Sequence, residues 1–225
     1  MFRYLSFIIL LIFTSVVSGQ SDFAAGLNGS MNIPTGKFAY FNVGYGGDIH
    51  FLYLLGNSTI LSLAIGYNHF SLDVDRFNEK AKELGINANF EVKSIFSNIP
   101  ILLGAKWYFI HSKKHNLYLM LEAGIYNYKF TFKGTANLIN PVGNSIPIEL
   151  PQSDESGSKT MLRISAGYLY FFANHWFIDA SVGYIVMTDA FAVNEPVNPE
   201  EPDAIYGIVG TLDYVSVSAG INYRF

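Results

Sequence analysis

Tyr214-Val215-Ser216-Val217-Ser218-Ala219-Gly220-Ile221-Asn222-Tyr223-Arg224-Phe225 closes the sequence. Val215, Val217, Ala219, Ile221, Tyr223 and Phe225 fall on one phase; Tyr214, Ser216, Ser218, Gly220, Asn222 and Arg224 fall on the other. A strand turns successive side chains to opposite faces, so this stretch reads as a strand with an apolar, aromatic face and a small or polar face.

The same period of two recurs backwards along the chain. Ile178, Ala180, Val182, Tyr184 and Val186 oppose Asp179, Ser181 and Gly183. Leu162, Ile164, Ala166, Tyr168 and Tyr170 oppose Arg163, Ser165 and Gly167. Leu117, Leu119, Leu121, Ala123 and Ile125 oppose Glu122 and Gly124, while Ile101, Leu103, Ala105, Trp107 and Phe109 oppose Gly104 and Lys106. Leu61, Leu63, Ile65 and Tyr67 oppose Ser62, Ala64, Gly66 and Asn68. Val43, Tyr45, Ile49, Phe51 and Tyr53 oppose Gly44, Gly46, Asp48 and His50, and Phe23, Ala25 and Leu27 oppose Gly26 and Asn28. That makes eight segments, each with a glycine on its polar phase: Gly26, Gly46, Gly66, Gly104, Gly124, Gly167, Gly183 and Gly220. Random placement would put about half of them on the other phase.

The polar phase also carries the charges: Asp48, Glu122 and Asp179 against Lys106, Arg163 and Arg224. A Lys or Arg facing lipid at mid-bilayer costs about 2–4 kcal/mol, whereas opposite charges turned inward can pair. Bulky rows facing out and small, charge-balanced rows facing in describe a closed barrel in lipid rather than a soluble sandwich. The expected fold is therefore all-β: an eight-stranded antiparallel up-and-down transmembrane β-barrel with a narrow, salt-bridged lumen.

Composition agrees. Of 225 residues, 50% are hydrophobic and 16% aromatic, but only 14% are charged, against about 25% in ordinary soluble domains. The net charge of −4 offers no basic footprint for nucleic acid. The absence of Cys removes disulfides, thiolate metal sites, Cys nucleophiles and a lipidated N-terminal Cys.

Residues 1–19 read as a secretory signal peptide: Arg3, a short apolar run over residues 5–17, then Val17-Ser18-Gly19 as a small-residue cleavage site. The alternative is an uncleaved anchor helix, for which the run is short. The division is thus 1–19 signal peptide and 20–225 barrel. No later stretch holds eighteen consecutive apolar residues, so helical spans are not expected beyond the leader.

Connector lengths alternate. Links near Gly56-Asn57-Ser58, at residues 111–116 and at Ala173-Asn174-His175 are short, and those at residues 32–37, 73–93, 133–159 and 191–211 are longer. Short periplasmic turns and long extracellular loops are the pattern of outer-membrane barrels. Aromatics crowd the short-turn ends (Tyr53, Trp107, Phe109, Tyr170, Phe172, Trp176, Tyr223, Phe225), and a second girdle is expected from Phe41, Tyr67 and Phe70. Tyr126, Tyr128, Phe130 and Phe132 break the phase by falling on the lumen side. Either a bulge shifts the register there or the strand projects above the membrane.

With the leader, the Gly-Tyr pairs (Gly66-Tyr67, Gly167-Tyr168, Gly183-Tyr184) and the Tyr223-Arg224-Phe225 ending, the chain resembles the small outer-membrane barrels of the OmpA, OmpX and OmpW type over nearly all its mature length. The resemblance implies location in the bacterial outer membrane of a Gram-negative envelope after export and cleavage. It implies contact with outer-membrane lipids and lipopolysaccharide, and Tyr223 and Phe225 as the signal read by the barrel-assembly machinery. It is specific for fold and weak for activity. The expected role is structural, or surface interaction through the extracellular loops with an extracellular partner; a second reading is an OmpW-like conduit for small solutes or apolar ligands.

No enzyme, metal or cofactor is expected. The sharpest enzymatic alternative is a lipid A deacylase: that family's His-x-Ser pair has the spacing of His69-Phe70-Ser71, with Glu91 as orienter on the next strand. Its pair lies nearer the C-terminus in a longer motif absent here. His111 and His115 in a turn with Lys113 and Lys114 are too few to hold a metal. Gly157-Ser158-Lys159-Thr160 lacks the Gly-Lys-Ser/Thr run of a phosphate loop. Residues 75–85 predict a solvated loop helix with Phe77, Ala81 and Leu84 on one face and Gly85 as its cap. Glu195, Glu200, Glu201 and Asp203 among Pro196, Pro199 and Pro202 predict an extended acidic loop, suited to a solubilising tip, to cations bridging lipopolysaccharide or to a protein partner.

Overall fold

The computed structural model describes residues 22–36, 40–55, 58–83, 85–86, 88–139, 145–187 and 213–225. The signal peptide, its cleavage site and the acidic Pro-rich loop lie outside these residues, as does Leu84.

Eight strands form one closed antiparallel ring: β1 (Phe23–Thr35), β2 (Gly44–Leu55), β3 (Thr59–Ser71), β4 (Ala88–His111), β5 (His115–Ile139), β6 (Ser145–Phe171), β7 (Trp176–Met187) and β8 (Asp213–Arg224). Every strand pairs with its sequence neighbour, and β1 pairs with β8 from Ala24↔Arg224 to Thr35↔Asp213, leaving no edge around the ring. The phase assigned from sequence is the observed one. Leu27, Ile49, Leu103, Leu119, Ile164 and Val182 face outward, each about half exposed, while Glu122, Asp179 and Asn222 are buried inside.

The wall is not of even height. β4, β5 and β6 have 24, 25 and 27 residues, while the other strands have 12 or 13. Pairing of β3 with β4 ends at Ser71↔Ile95, and that of β6 with β7 at Met161↔Met187. Beyond those points β4, β5 and β6 continue as a three-stranded sheet. The expected loops at 73–93 and 133–159 are therefore largely strand plus one helix. Local polarity misleads here, because both faces of a strand standing clear of hydrocarbon tolerate polar residues.

That helix, α1 (Val74–Glu83), is not a solvated loop helix. Asp73 Oδ1 accepts from the Arg76 amide at 3.2 Å and caps its start. Gly85, at φ 79°, ends it, with Gly85 N donating to Lys82 O and Ile86 N to Ala81 O, the paired bonds of a Schellman ending. Phe77 and Ala81 are buried against Ala88, Phe90, Val92 and Ala136. Phe77 meets Phe90 edge to face at 5.3 Å. Asn78 completes the docking: its Nδ2 donates to Phe90 O (3.0 Å) and its Oδ1 accepts from Phe90 N (2.7 Å), standing in for a neighbouring strand.

The segment around Tyr126 is also resolved. Register is unbroken from Tyr126↔Lys159 to Phe132↔Ser153 and shifts only between Phe132 and Gly134. No bulge reverses the faces; the strand projects, and Tyr126 and Phe130 are buried inside the barrel mouth.

Candidate functional site: the lumen and the outer rim

The lumen holds more than glycines and ions. An upper apolar layer joins Phe41, Phe70, Phe96, Tyr126, Phe130 and Tyr214 with Met161, Ile185 and Met187. A lower layer joins Leu52, Ile60, Tyr118, Met120, Leu169 and Phe177. Phe41 and Phe70 thus leave the predicted outer girdle: they are 3% and 0% exposed. The lumen glycines explain how such bulk fits. A methyl at Gly167 would overlap the ring of Tyr118, one at Gly104 the side chain of Glu122, and one at Gly44 the ring of Phe70. Gly26 and Gly220 similarly seat Asn222 and Asn28, and Gly46 seats Asn68. Gly66 and Gly183 lie against Asp48 and Ser165, and Gly124 against the backbone of Ile101 and Leu102.

Between the layers lies a polar belt. Lys106 Nζ on β4 meets Asp179 Oδ2 on β7 at 2.5 Å, both 3% exposed. Tyr118 donates to the other oxygen of Asp179 at 2.6 Å, and the Lys106 ammonium lies 4.5 Å from the Tyr118 ring centre. Arg163 pairs with Glu122, directly opposite on β5, and reaches Asp48 on β2 at 3.6 Å. Glu122 also accepts from Ser62 at 2.9 Å. The belt brings together five of the six predicted charges. Arg224 is the exception: among the described residues it joins no ion pair, because its place at the strand end puts it below the belt.

His50 is a member that charge counting missed. Its Nδ1 lies 3.0 Å from Asp48 Oδ1 and 2.9 Å from Asn28 Nδ2, and its Nε2 lies 2.6 Å from Asn222 Oδ1. Higher up, Asn32 donates to Asn68 (2.9 Å) and Asn68 to Asn98 (3.0 Å), an amide ladder over β1, β3 and β4. The common signal was lumen phase, which the sequence displays for His50, Asn28, Asn68 and Asn222.

The interior spaces lined by Arg163 measure about 20 and 10 Å³, room for no more than one water each. Among the described residues, the packing around Arg163 leaves no open path along the barrel axis.

The deacylase constellation does not assemble. His69, Ser71 and Glu91 do keep off the lumen, and β4 does reach Glu91. But Ser71 pairs with Ile95, His69 with Ser97, and Glu91 with Thr135. Four residues separate Glu91 from the level of Ser71, about 13 Å along a strand at ~3.3 Å per residue, and the His69 ring instead lies 5.2 Å from that of Tyr45. His115 lies between Tyr168 and Tyr170, with ring centres at 5.9 and 5.3 Å. The residues 157–160 are strand. Among the described residues no group of His, Asp and Glu could hold a metal ion.

At the short-turn end Trp107, Phe109, Tyr170, Phe172, Trp176 and Phe225 are exposed on the outer wall. Tyr223 lies 4.9 Å from Trp176 and 5.2 Å from Phe225, and the Phe225 amide donates to Phe23 O at 3.0 Å, which ties the last residue to the first strand.

No protein-family model matches the chain, and no curated protein does. Solved structures do. The chain is similar to Neisserial surface protein A, at 15% identity and TM-score 0.51, covering 92% of this chain and all of that one. Ail, the attachment invasion locus protein of Yersinia pestis, solved with the heparin analogue sucrose octasulfate, matches at 18% identity and TM-score 0.45, over 91% of this chain and 97% of that one. The N-terminal β-barrel domain of Pseudomonas aeruginosa OprF matches at 16% identity and TM-score 0.40, over 92% and 100%. The fold is that of the small eight-stranded outer-membrane β-barrels.

Proposed function

We propose that this chain is an integral protein of the bacterial outer membrane, exported and cleaved after residue 19, that uses its projecting β4–β6 sheet and α1 as a surface for interaction outside the cell. One observation carries the reading: the ring's outer face is apolar at mid-height while its interior is already filled. On β4, Ile99, Ile101, Leu103, Trp107 and Phe109 are all exposed, and this stretch matches the 9–11 residues a tilted strand needs to cross hydrocarbon, a span of about 30 Å. Among the described residues no helix is long and apolar enough to cross a membrane; the strands do the crossing. A filled lumen supports a structural or docking role over transport. Lipopolysaccharide and outer-membrane lipids then surround the wall, and the assembly machinery reads the Tyr223 and Phe225 strand.

Membrane fractionation of the mature protein tests this. It should sediment with outer membranes, need detergent to stay monodisperse, begin near Gln20 and give no steady conductance in a planar bilayer. A protein that remains monodisperse in buffer alone, or carries steady ionic current, would overturn the reading.

A further inference from the structure

Pro100 stands inside β4, in a closed ring where no strand is an edge. Proline has no N–H to give, so within a sheet it is confined to edges, strand starts and bulges. No bulge accommodates this one. Ile65↔Ile101 and Asn68↔Asn98 keep the same frame on either side of it, yet the β3–β4 ladder skips Gly66 and Tyr67 opposite Pro100 and Ile99. The missing rung is the one Pro100 cannot supply: Gly66 O receives no amide from β4. A wall carbonyl left unpaired against hydrocarbon is costly, and closed barrels span membranes because they leave none. Gly66 O therefore calls for a donor from elsewhere.

Behind this gap lies the cavity of about 20 Å³ beside Arg163, with Gly66 and Pro100 in its wall. A space of that size holds one water, provided polar groups receive it. Two further groups in the wall do so. Asn32, 0% exposed, lends Nδ2 to Asn68 and leaves Oδ1 without a donor among the described residues. Arg163 has an N–H to spare: its Nη1 lies 3.6 Å from Asp48 Oδ2, beyond hydrogen-bond length. Outside the gap, Tyr67 and Ile99 are half exposed. They stand one row below His69 and Ser97, the first polar outward residues above the apolar rows of β3 and β4. The break in the seam thus lies where hydrocarbon gives way to the wet interface. We propose that the cavity is a binding site for one exchangeable water, admitted sideways between β3 and β4 at Pro100. The water donates to Gly66 O and Asn32 Oδ1 and accepts from Arg163. It gives Arg163 a partner besides Glu122 and Asp48, while the barrel axis stays closed to ions.

Pulsed X-ray radiolysis of the wild-type barrel in nanodiscs, read by mass spectrometry, tests the site. Radicals formed from a bound water oxidise the side chains beside it, and methionine goes to its sulfoxide. Met161 lines the cavity and is 3% exposed, whereas Met187, 0% exposed, lines neither of the two spaces beside Arg163. Met161 should therefore oxidise about tenfold faster than Met187. Mixing with water labelled with heavy oxygen before the pulse reads the entry. The label should reach Met161 well before Met120, which lines the lower space. Pro100→Val supplies the missing N–H and should delay arrival at Met161 by about tenfold, with Met120 unchanged. Equal oxidation of Met161 and Met187 would overturn the water site. Label at Met161 as early in Pro100→Val as in wild type, or no earlier than at Met120 in wild type, would overturn entry through the seam. The wild-type comparison decides alone where the variant does not fold.

Discussion

Tyr118 faces Gly167 across β5 and β6, and its ring occupies the space a Cβ on Gly167 would need. The glycine makes a buried tyrosine possible, and that tyrosine's hydroxyl then reaches Asp179. Replacing Gly167 with Val should destabilise the barrel by about 1–3 kcal/mol through overpacking. Gly29 has nothing within 4 Å of its would-be Cβ, so Gly29→Ala should change stability by less than about 0.5 kcal/mol. Urea unfolding of the two variants in detergent checks the contrast; equal midpoints would contradict it.

Lys106 and Asp179 lie three strands apart around the ring, and each is buried. Asp179→Asn leaves an ammonium without its counter-charge inside and should cost about 3–5 kcal/mol. Combining Lys106→Met with Asp179→Asn removes both charges and keeps an acceptor for Tyr118, and should recover most of that loss. A double-mutant cycle in denaturant measures the recovery.

Asn78 satisfies both the amide and the carbonyl of Phe90 on the projecting part of β4. Asn78→Ala removes two bonds worth about 1 kcal/mol net each. Hydrogen exchange at the Phe90 amide should quicken at least tenfold, while the melting temperature of the barrel stays as it was. A lowered melting temperature would show that α1 and the ring unfold together.

Ser71 and Glu91 stand at different levels of the wall. Ser71→Ala and His69→Ala should therefore leave acyl-chain release from lipid A indistinguishable from that of wild type. An assay on purified barrel in which Ser71→Ala abolishes a measurable release would restore the enzymatic alternative.

The inside–outside division was legible within the eight ring segments, because a strand's period of two assigns faces without knowledge of its neighbours; Phe41 and Phe70, expected in the outer girdle, lie inside because the mouth of the ring closes over them. The same local rule showed that Asp48, Glu122, Arg163 and Asp179 share the lumen. It could not show who meets whom. Lys106 finds Asp179 and Arg163 finds Asp48 across the barrel, so the partners depend on closure and register. Nor could it separate a polar loop from a polar strand: residues 133–159 read as connector because both faces carry polar groups.

Sequence alone determined the eight membrane-level segments, their faces and the glycines that make room inside, since each follows from the chemistry of successive side chains. The height of each inward residue, the two apolar layers, the docking of α1 and the meeting of Gly66 with Pro100 were decided only by tertiary structure. Those relationships join positions distant in the chain, and only the stagger of eight paired strands brings them level.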